Sequence, residues 1–229
     1  MKKEILIFGS NGALGKGVTD TFLRKEYNKY YLFDFHPERK NSNNIVQIEV
    51  SDLSVEENVK QAFEYIKPSR ETVYFLFSTV GGFAGGKSVW EMDIEEWDKM
   101  MAMNLKTSFL ISKYFSGLVK NSHSGSICFT AAFTGLNAEP KKAAYGASKG
   151  ALIHLVESIA KEGKEIRLTA NAVAPYIIDT PANREWMQNS DFESWMKPDE
   201  IGEFIHSIFK NYHFITGNIF KLTHRFSAY

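Results

Sequence analysis

Short apolar runs alternate with longer segments of helical periodicity along most of this chain. Several of these runs are almost continuously hydrophobic, which is typical of strands that are covered on both faces of a sheet. Seven strands are predicted, at residues 4–9, 30–35, 45–50, 72–77, 126–131, 167–174 and 218–222. Helices are predicted between them, at about residues 14–25, 55–66, 94–119, 144–163 and 199–210.

This alternation predicts an α/β fold, a doubly wound parallel sheet of the Rossmann type with helices on both faces. No internal repeat or low-complexity linker interrupts it, so the sequence predicts a single domain over residues 1–229. Two helices begin with sequences typical of capping boxes, Ser54 with Glu57 and Asp93 with Glu96. In such a sheet the ligand is expected beyond the carboxyl ends of the strands.

Composition and charge narrow the range of partners. The chain has 27 basic and 27 acidic residues, and zero net charge gives no reason to expect a nucleic acid or a membrane surface as partner. Cys128 is the single cysteine, and the apolar run near the start is too short for an export signal, so a cytoplasmic location is expected. The six histidines form no ligand-like cluster, so no metal site is expected.

The first predicted strand runs directly into the sequence FGSNGALGKG. Glycines at positions 9, 12 and 15 allow sharp turns and a close approach of the backbone to a ligand. The free N–H groups at the start of the following helix favour a pyrophosphate. The sequence therefore predicts a dinucleotide site here, although glycines also serve tight turns that bind nothing.

Asp34, at the end of the second strand, is the candidate residue for cofactor selection. A carboxylate at this position accepts hydrogen bonds from the adenosine ribose and repels a 2′-phosphate. NADH is therefore favoured as the cofactor. His36, Arg39 and Lys40 follow closely and offset part of this repulsion, so NADPH stays open.

The segment AAYGASKGALIHLVESIAKEG follows a strand and has the pattern of a long helix. Tyr145 and Lys149 are four residues apart in it, so both lie on one helix face. A phenol has an ordinary pKa near 10, and a nearby ammonium stabilises the phenolate, so this pair predicts proton transfer. Lys149 is also a candidate to bind the cofactor ribose. A tyrosine and a lysine on the surface are the alternative, because the spacing alone is not distinctive.

Taken together, these features resemble the short-chain dehydrogenase/reductase family over almost the whole chain. Its landmarks occur in order: the glycine turn, the acidic end of the second strand, Asp52, Asn104, YGASK and NAVAPYIIDTP. The resemblance implies that Asp52 contacts adenine and that Asn104 stabilises a helix bend and positions a water. It also implies that Thr180 binds the nicotinamide carboxamide, with Tyr145 as the acid/base and Lys149 as its partner.

The resemblance implies a larger set of cofactor contacts along the strand ends. They are Gly9, Asn11, Gly12, Ala13, Leu14, Gly15, Asp34, Asp52, Leu53, Val80, Gly81, Gly82, Tyr145, Lys149, Pro175, Ile178 and Thr180. It also implies a homodimer or homotetramer that pairs through the long helices at about residues 94–119 and 144–163.

A small-molecule substrate is expected against a second set of residues, Phe83, Ala132, Tyr176 and Trp186. Phe83, Trp90 and Trp186 are candidates to stack on a planar ring. Residues 182–198 are predicted to form a loop or helix on the substrate side.

Thirteen residues before the tyrosine, where the family carries a substrate-orienting serine, this sequence has Ala132. The quinonoid dihydropteridine reductase branch of the family also lacks that serine. The sequence is similar to this branch in GSNGALG, VGGFAGG, DTPANREWM and DFESWMKP. A quinonoid dihydropterin is electron-poor and conjugated, so it needs a proton source more than a polarised carbonyl. The resemblance therefore implies hydride transfer from NADH to such a substrate or to another flat conjugated one.

Two other functions remain open at this point. The first is a short-chain reductase or dehydrogenase of an ordinary carbonyl or alcohol, with Thr130, Thr134 or Ser78 in place of the missing serine. The second is a nucleotide-binding sensor without turnover. The retained tyrosine and lysine argue against a sensor, because a sensor needs no proton relay.

Overall fold

A computed structural model describes residues 1–226 of the chain. The strands are β1 (Lys2–Phe8), β2 (Lys29–Asp34), β3 (Ile45–Glu49), β4 (Thr72–Ser78), β5 (Ser124–Thr130), β6 (Leu168–Pro175) and β7 (Ile219–Leu222). They form one parallel sheet in the order β3-β2-β1-β4-β5-β6-β7. The predicted doubly wound fold is confirmed, and so is each of the seven predicted strands.

All five predicted helices are present. The helices are α1 (Ala13–Leu23), α2 (Glu56–Glu64), α3 (Ile94–Met100), α4 (Thr107–Lys120), α5 (Ala143–Glu162), α6 (Pro181–Trp186) and α7 (Pro198–Lys210). The short helix α6 lies almost entirely within residues 182–198, which were predicted to form a loop or a helix. A π-helical stretch, Met101–Lys106, joins α3 to α4 within the predicted helix at 94–119. Within residues 1–226, no helix is long and apolar enough to cross a bilayer.

The sheet separates two apolar cores, and β1 contributes to both of them. Ile5 and Ile7 join the core beneath α1 and α7, whereas Leu6 and Phe8 join the core beneath α2, α4 and α5. Successive side chains of a strand point to opposite faces. Because both faces are covered, both sets of positions must be apolar, which explains the nearly continuous hydrophobic runs of the inner strands.

The two predicted capping boxes do not form. Val55 is the N-cap residue of α2, and the N–H of Ser54 donates instead to the Asp52 carboxylate at 2.8 Å. Asp93 is the N-cap residue of α3, but its side chain caps no backbone group and pairs with Lys87 at 2.5 Å. In both cases a polar side chain within a few residues, Asp52 or Lys87, bonds to the residue that the pattern assigned to the helix end.

The strand order reverses between β1 and β4. β1 pairs with β2 on one side and with β4 on the other, so the segments that follow β1 and β4 diverge at the carboxyl edge of the sheet. A crevice opens at such a reversal, and ligands of doubly wound sheets bind there. The glycine turn after β1 and the glycine-rich segment at residues 80–86 after β4 lie at this edge.

Candidate active site

A cavity of about 700 Å³ lies at the carboxyl edge of the sheet, and α5 and the segments after β4, β5 and β6 line it. All four predicted substrate residues line this cavity. The predicted site residues that line it are Leu14, Gly81, Gly82, Phe83, Ala132, Tyr145, Lys149, Pro175, Tyr176, Ile178, Thr180 and Trp186. The fold therefore brings together residues from five separate segments of the sequence.

The other predicted site residues do not line this cavity. They are Gly9, Asn11, Gly12, Ala13, Gly15, Asp34, Asp52, Leu53, Val80 and Asn104. Most of them follow β1, β2 and β3, on the part of the sheet edge beyond the reversal point. Leu53 is 3% exposed and belongs to an apolar core, so its side chain is not free to contact a ligand.

The glycine turn is fixed by its own backbone geometry. Gly9 has φ +79°, in the region that favours glycine, and its N–H donates to the Phe33 carbonyl at 2.8 Å. A β-carbon at Gly15 would lie 1.8 Å from the Gly9 carbonyl oxygen. These two glycines are therefore required by the turn itself. Gly12 is the N-cap residue of α1, which has no side-chain cap and no acidic residue in its first turn.

Asp34 is tied to the glycine turn by its carboxylate. Oδ2 accepts a hydrogen bond from the N–H of Asn11 at 2.8 Å, and Oδ1 accepts one from the N–H of His36 at 3.3 Å. A carboxylate accepts about four hydrogen bonds, so acceptor capacity remains for a ligand. Arg39 Nη2 pairs with Asp20 Oδ1 at 2.6 Å.

Tyr145 and Lys149 lie on α5 and both line the cavity. The Lys149 Nζ atom is buried and donates to the Thr130 carbonyl oxygen at 2.7 Å, and burial lowers the lysine pKa to about 8. Burial, with a smaller effect of the Glu139 charge, raises the pKa of the Tyr145 phenol to about 12. The sequence predicted the opposite direction for this phenol. The reason is that desolvation outweighs any attraction between the phenolate and the lysine.

Asn104 lies in the π-helical stretch and is fully buried. Its Oδ1 accepts from the N–H of Gly82 at 2.9 Å, and its Nδ2 donates to the Gly82 carbonyl and to Ser148 Oγ, each at 3.0 Å. A β-carbon at Gly81 would lie 2.5 Å from Asn104 Oδ1. Asn104 therefore joins the segment after β4 to α5. Its position in a distorted helix agrees with the helix bend that the resemblance implied.

Of the three hydroxyls that were candidates to replace the missing serine, two donate to other groups and the third is buried away from the cavity. Thr130 donates to the Ser78 carbonyl at 3.0 Å. Ser78 is 1% exposed and does not line the cavity. Thr134 lines the cavity, but its hydroxyl donates to Glu139 at 2.5 Å. Ala132 therefore lines the cavity at the serine position, while the Thr130 and Thr134 hydroxyls, which line the same cavity, donate to other groups of the protein.

Aromatic rings form one wall of the cavity. The Phe83 ring meets the Tyr145 ring edge to face at 5.0 Å, and its centroid lies 5.8 Å from that of Trp186. Phe83 and Trp186 are 52% and 66% exposed, so both present ring surface to the opening. Trp90 is 87% exposed and lies on a 3-10 turn outside the cavity, so it does not take part in this wall.

Sequence reasoning missed an ion pair at the cavity. The Glu139 carboxylate accepts from Lys142 Nζ at 2.6 Å, and both side chains line the cavity. Lys141 has φ +61°, and its carbonyl oxygen accepts from the N–H of Gly86 at 2.8 Å. This pairing fixes the loop before α5 against the glycine-rich segment. In the sequence these residues form the charged stretch EPKK, which has no feature to separate it from an exposed loop.

The segment at residues 182–198 contains most of α6 and a 3-10 turn at Phe192–Ser194. Thr180 is the N-cap residue of α6, and its hydroxyl oxygen accepts from the N–H of Asn183 at 3.2 Å. A parallel bridge between Ile178 and Met196 closes the base of the segment. Its side chains at the cavity are those of Ala182, Asn183, Trp186 and Met187.

Comparisons with known proteins agree with this geometry. Residues 3–191 match the family described as short chain dehydrogenase. A dihydropteridine reductase from Dictyostelium discoideum is 31% identical over 205 residues, which cover 89% of this chain and 86% of that protein. The structure of 4-hydroxyisoleucine dehydrogenase complexed with NADH has a TM-score of 0.83 at 25% identity over all of both chains. ElxO with NADP bound has a TM-score of 0.83 at 22% identity, covering 97% of this chain and 98% of that chain.

Proposed function

We propose that this oxidoreductase reduces a quinonoid dihydropterin or a similarly flat, conjugated substrate with NADH. The chain belongs to the short-chain dehydrogenase family. The observation that carries the proposal is the cavity wall around Tyr145. There a proton donor lies beside aromatic rings, and Ala132 replaces the group that would polarise a carbonyl. The dihydropteridine reductase relative supports the same substrate class.

The residues at the sheet edge fit a nicotinamide dinucleotide. The uncapped start of α1 offers free N–H groups to a pyrophosphate, and no acid in its first turn opposes the charge. Asp34 retains acceptor capacity for ribose hydroxyls, and its carboxylate repels a 2′-phosphate, so NADH is favoured over NADPH. Lys149 and Thr180 would face the nicotinamide half. When bound, the reduced cofactor supplies a hydride.

Tyr145 supplies the proton in this proposal. With a pKa of about 12, the phenol is protonated at neutral pH and available as a donor. A quinonoid dihydropterin takes up the hydride and this proton, which together reduce it to the tetrahydropterin, and the tyrosine is left as a phenolate. Lys149 has two N–H donors besides the one bound to Thr130. Its ammonium stabilises the phenolate, which regains its proton from solvent.

The Thr130 and Thr134 hydroxyls already donate to other groups of the protein, which argues against an ordinary ketone as substrate. A ketone oxygen gains negative charge as the hydride adds, and donors placed around it supply much of the rate enhancement. Thr130 and Thr134 are bound to other groups and the serine position is Ala132, so the oxygen would lack the second donor that the family serine supplies beside Tyr145. A conjugated quinonoid ring spreads the charge over its own atoms and needs less of this stabilisation.

Loss of NADH absorbance with different acceptors tests the proposal. The purified protein is mixed with a quinonoid dihydropterin generated in the cuvette, and separately with a panel of aliphatic and aromatic ketones. We expect kcat/KM for the dihydropterin to exceed that of every ketone by about a hundredfold, a range that differential transition-state binding readily supplies. Efficient ketone reduction with an inert dihydropterin would overturn the proposal and favour the ordinary carbonyl reductase.

A further inference from the structure

Glu139 differs from every other residue that lines the cavity. Within residues 1–226 it is the single carboxylate in a lining made mostly of apolar, aromatic and hydroxyl side chains. Its side chain is 26% exposed, so it is half-buried at the cavity. Removing a carboxylate from water costs free energy unless hydrogen-bond donors such as N–H groups bind it.

Two hydrogen bonds hold the Glu139 carboxylate in one orientation. Oε1 accepts from the Thr134 hydroxyl at 2.5 Å, and Oε2 accepts from Lys142 Nζ at 2.6 Å. These partners lower the pKa of the carboxyl group, so it is ionised at neutral pH. Each oxygen has two acceptor positions, which leaves one free position on each. Two parallel acceptors of this kind match a donor group that presents two N–H bonds side by side.

A chain of contacts connects this carboxylate to the proton donor. Lys142 Nζ lies 5.9 Å from the centroid of the Phe83 ring. The Phe83 ring in turn meets the Tyr145 ring at 5.0 Å. A planar molecule that lies against the aromatic wall therefore has Tyr145 and the carboxylate within reach at different points of its edge.

We propose that Glu139 anchors the substrate by accepting two parallel N–H bonds from an amidine- or guanidine-like edge of a flat heterocycle. The 2-amino-4-oxopyrimidine half of a dihydropterin has such an edge, in its ring N–H and its amino group. The inference rests on the proposed function and deepens it. Lys142 holds only one oxygen of this carboxylate, and the Thr134 hydroxyl holds the other, so the orientation of the carboxylate does not depend on Lys142 alone.

A purely structural role for Glu139 makes different predictions. In that case the ion pair orders the loop before α5, where the Lys141 carbonyl already binds Gly86. Loss of the carboxylate would then weaken every cavity ligand to the same degree. An anchor discriminates between ligands that differ only at the edge it binds.

Two ligands and three variants separate these roles by equilibrium binding, without turnover. The ligands are oxidised pterin and lumazine, in which an oxo group replaces the 2-amino group. Binding is followed by ligand fluorescence with saturating NAD⁺. We expect wild type to bind pterin about tenfold or more tightly than lumazine, and we expect Glu139→Gln to lose this preference. In Glu139→Gln the dissociation constants of lumazine and of NAD⁺ should stay within about twofold of wild type. Glu157→Gln, on the exposed face of α5, is the matched control and should keep the preference.

Lys142→Met removes the ion pair and leaves the carboxylate in place. We expect this variant to keep the pterin preference, and the same readout remains informative if Glu139→Gln folds poorly. Equal weakening of both ligands in Glu139→Gln, or loss of the preference in Lys142→Met, would overturn the anchor.

Failure of the proposed function has a different signature. If wild type binds pterin in preference to lumazine but does not reduce the quinonoid dihydropterin, the reaction is wrong and the anchor stands. If wild type reduces the dihydropterin and Glu139→Gln leaves KM and the pterin preference unchanged, the reaction stands and the anchor is wrong.

Discussion

The Lys149 ammonium donates a hydrogen bond to the Thr130 carbonyl oxygen at 2.7 Å. This bond joins α5 to the carboxyl end of β5 and holds the lysine inside the cavity lining. One of its three N–H groups is used by the protein, and two remain for a ligand and for the neighbouring phenol. The charge of the lysine is held in place by the fold, and not by a direct pair with the tyrosine.

Tyr145→Phe removes the proposed proton donor and keeps the ring that packs on Phe83. We expect kcat for dihydropterin reduction to fall about a hundredfold, within the range of general acid catalysis, and NADH affinity to change little. Steady-state rates and fluorescence titration with NADH measure the two effects. Tyr65→Phe, at an exposed tyrosine, is the control. Wild-type turnover in Tyr145→Phe would remove this phenol from the mechanism.

The pH dependence of reduction follows from the two pKa values. Tyr145 stays protonated well above neutral pH because its pKa is about 12. The pKa of Lys149 is lowered to about 8, so the stabilising positive charge is present below that value and is lost as pH rises through it. We expect kcat to be constant near pH 7 and to decline above about pH 8. A rate that rises through this range would contradict the role of the ammonium.

Asp34→Asn tests cofactor selection. The amide keeps an oxygen acceptor for one of the backbone N–H groups of Asn11 and His36, and it removes the charge that repels a 2′-phosphate. We expect the ratio of kcat/KM for NADPH to that for NADH to rise about tenfold. Asp34→Ala should raise the same ratio but weaken both cofactors, because the glycine turn loses its side-chain acceptor. An unchanged ratio in both variants would refute the role of this carboxylate.

Ala132→Ser restores the hydroxyl that the wider family carries. Ala132 is 5% exposed at the cavity, so the added oxygen has little room and adds a polar group where the dihydropterin needs none. We expect kcat/KM for the dihydropterin to stay the same or to fall, within about threefold. A gain of about tenfold, measured in the same assay, would show that the alanine limits the reaction.

The exposed apolar side chains on α3 and α4 allow the expected oligomeric state to be tested by substitution. Ile94, Trp97 and Phe109 are 64%, 36% and 50% exposed. Phe109 also lines an open apolar groove with Leu105. We expect a dimer or tetramer by analytical ultracentrifugation, and Phe109→Glu should shift it to smaller species because a charge cannot be buried there without a partner. A wild-type monomer at micromolar concentration would contradict this expectation.

Some features escaped the sequence because contacts between distant segments decide them. The π-helical stretch contains Asn104, whose side chain binds Gly82, twenty-two residues before it, and Ser148, forty-four residues after it. Nothing in the local pattern MAMNLK separates this stretch from an ordinary helix. The capping boxes fail for a local reason, since Lys87, six residues before Asp93, pairs with its carboxylate.

The sequence by itself determined the seven parallel strands, the helices between them and the shared helix face of Tyr145 and Lys149. These features depend on local periodicity and on which positions must be apolar when both sheet faces are covered. Only the tertiary structure decided that Lys149 binds Thr130, that the threonine hydroxyls are engaged, and that Glu139 reaches the cavity. The physical reason is that hydrogen bonding and desolvation depend on which atoms the folded chain brings together, and residue types at a given spacing do not fix those neighbours.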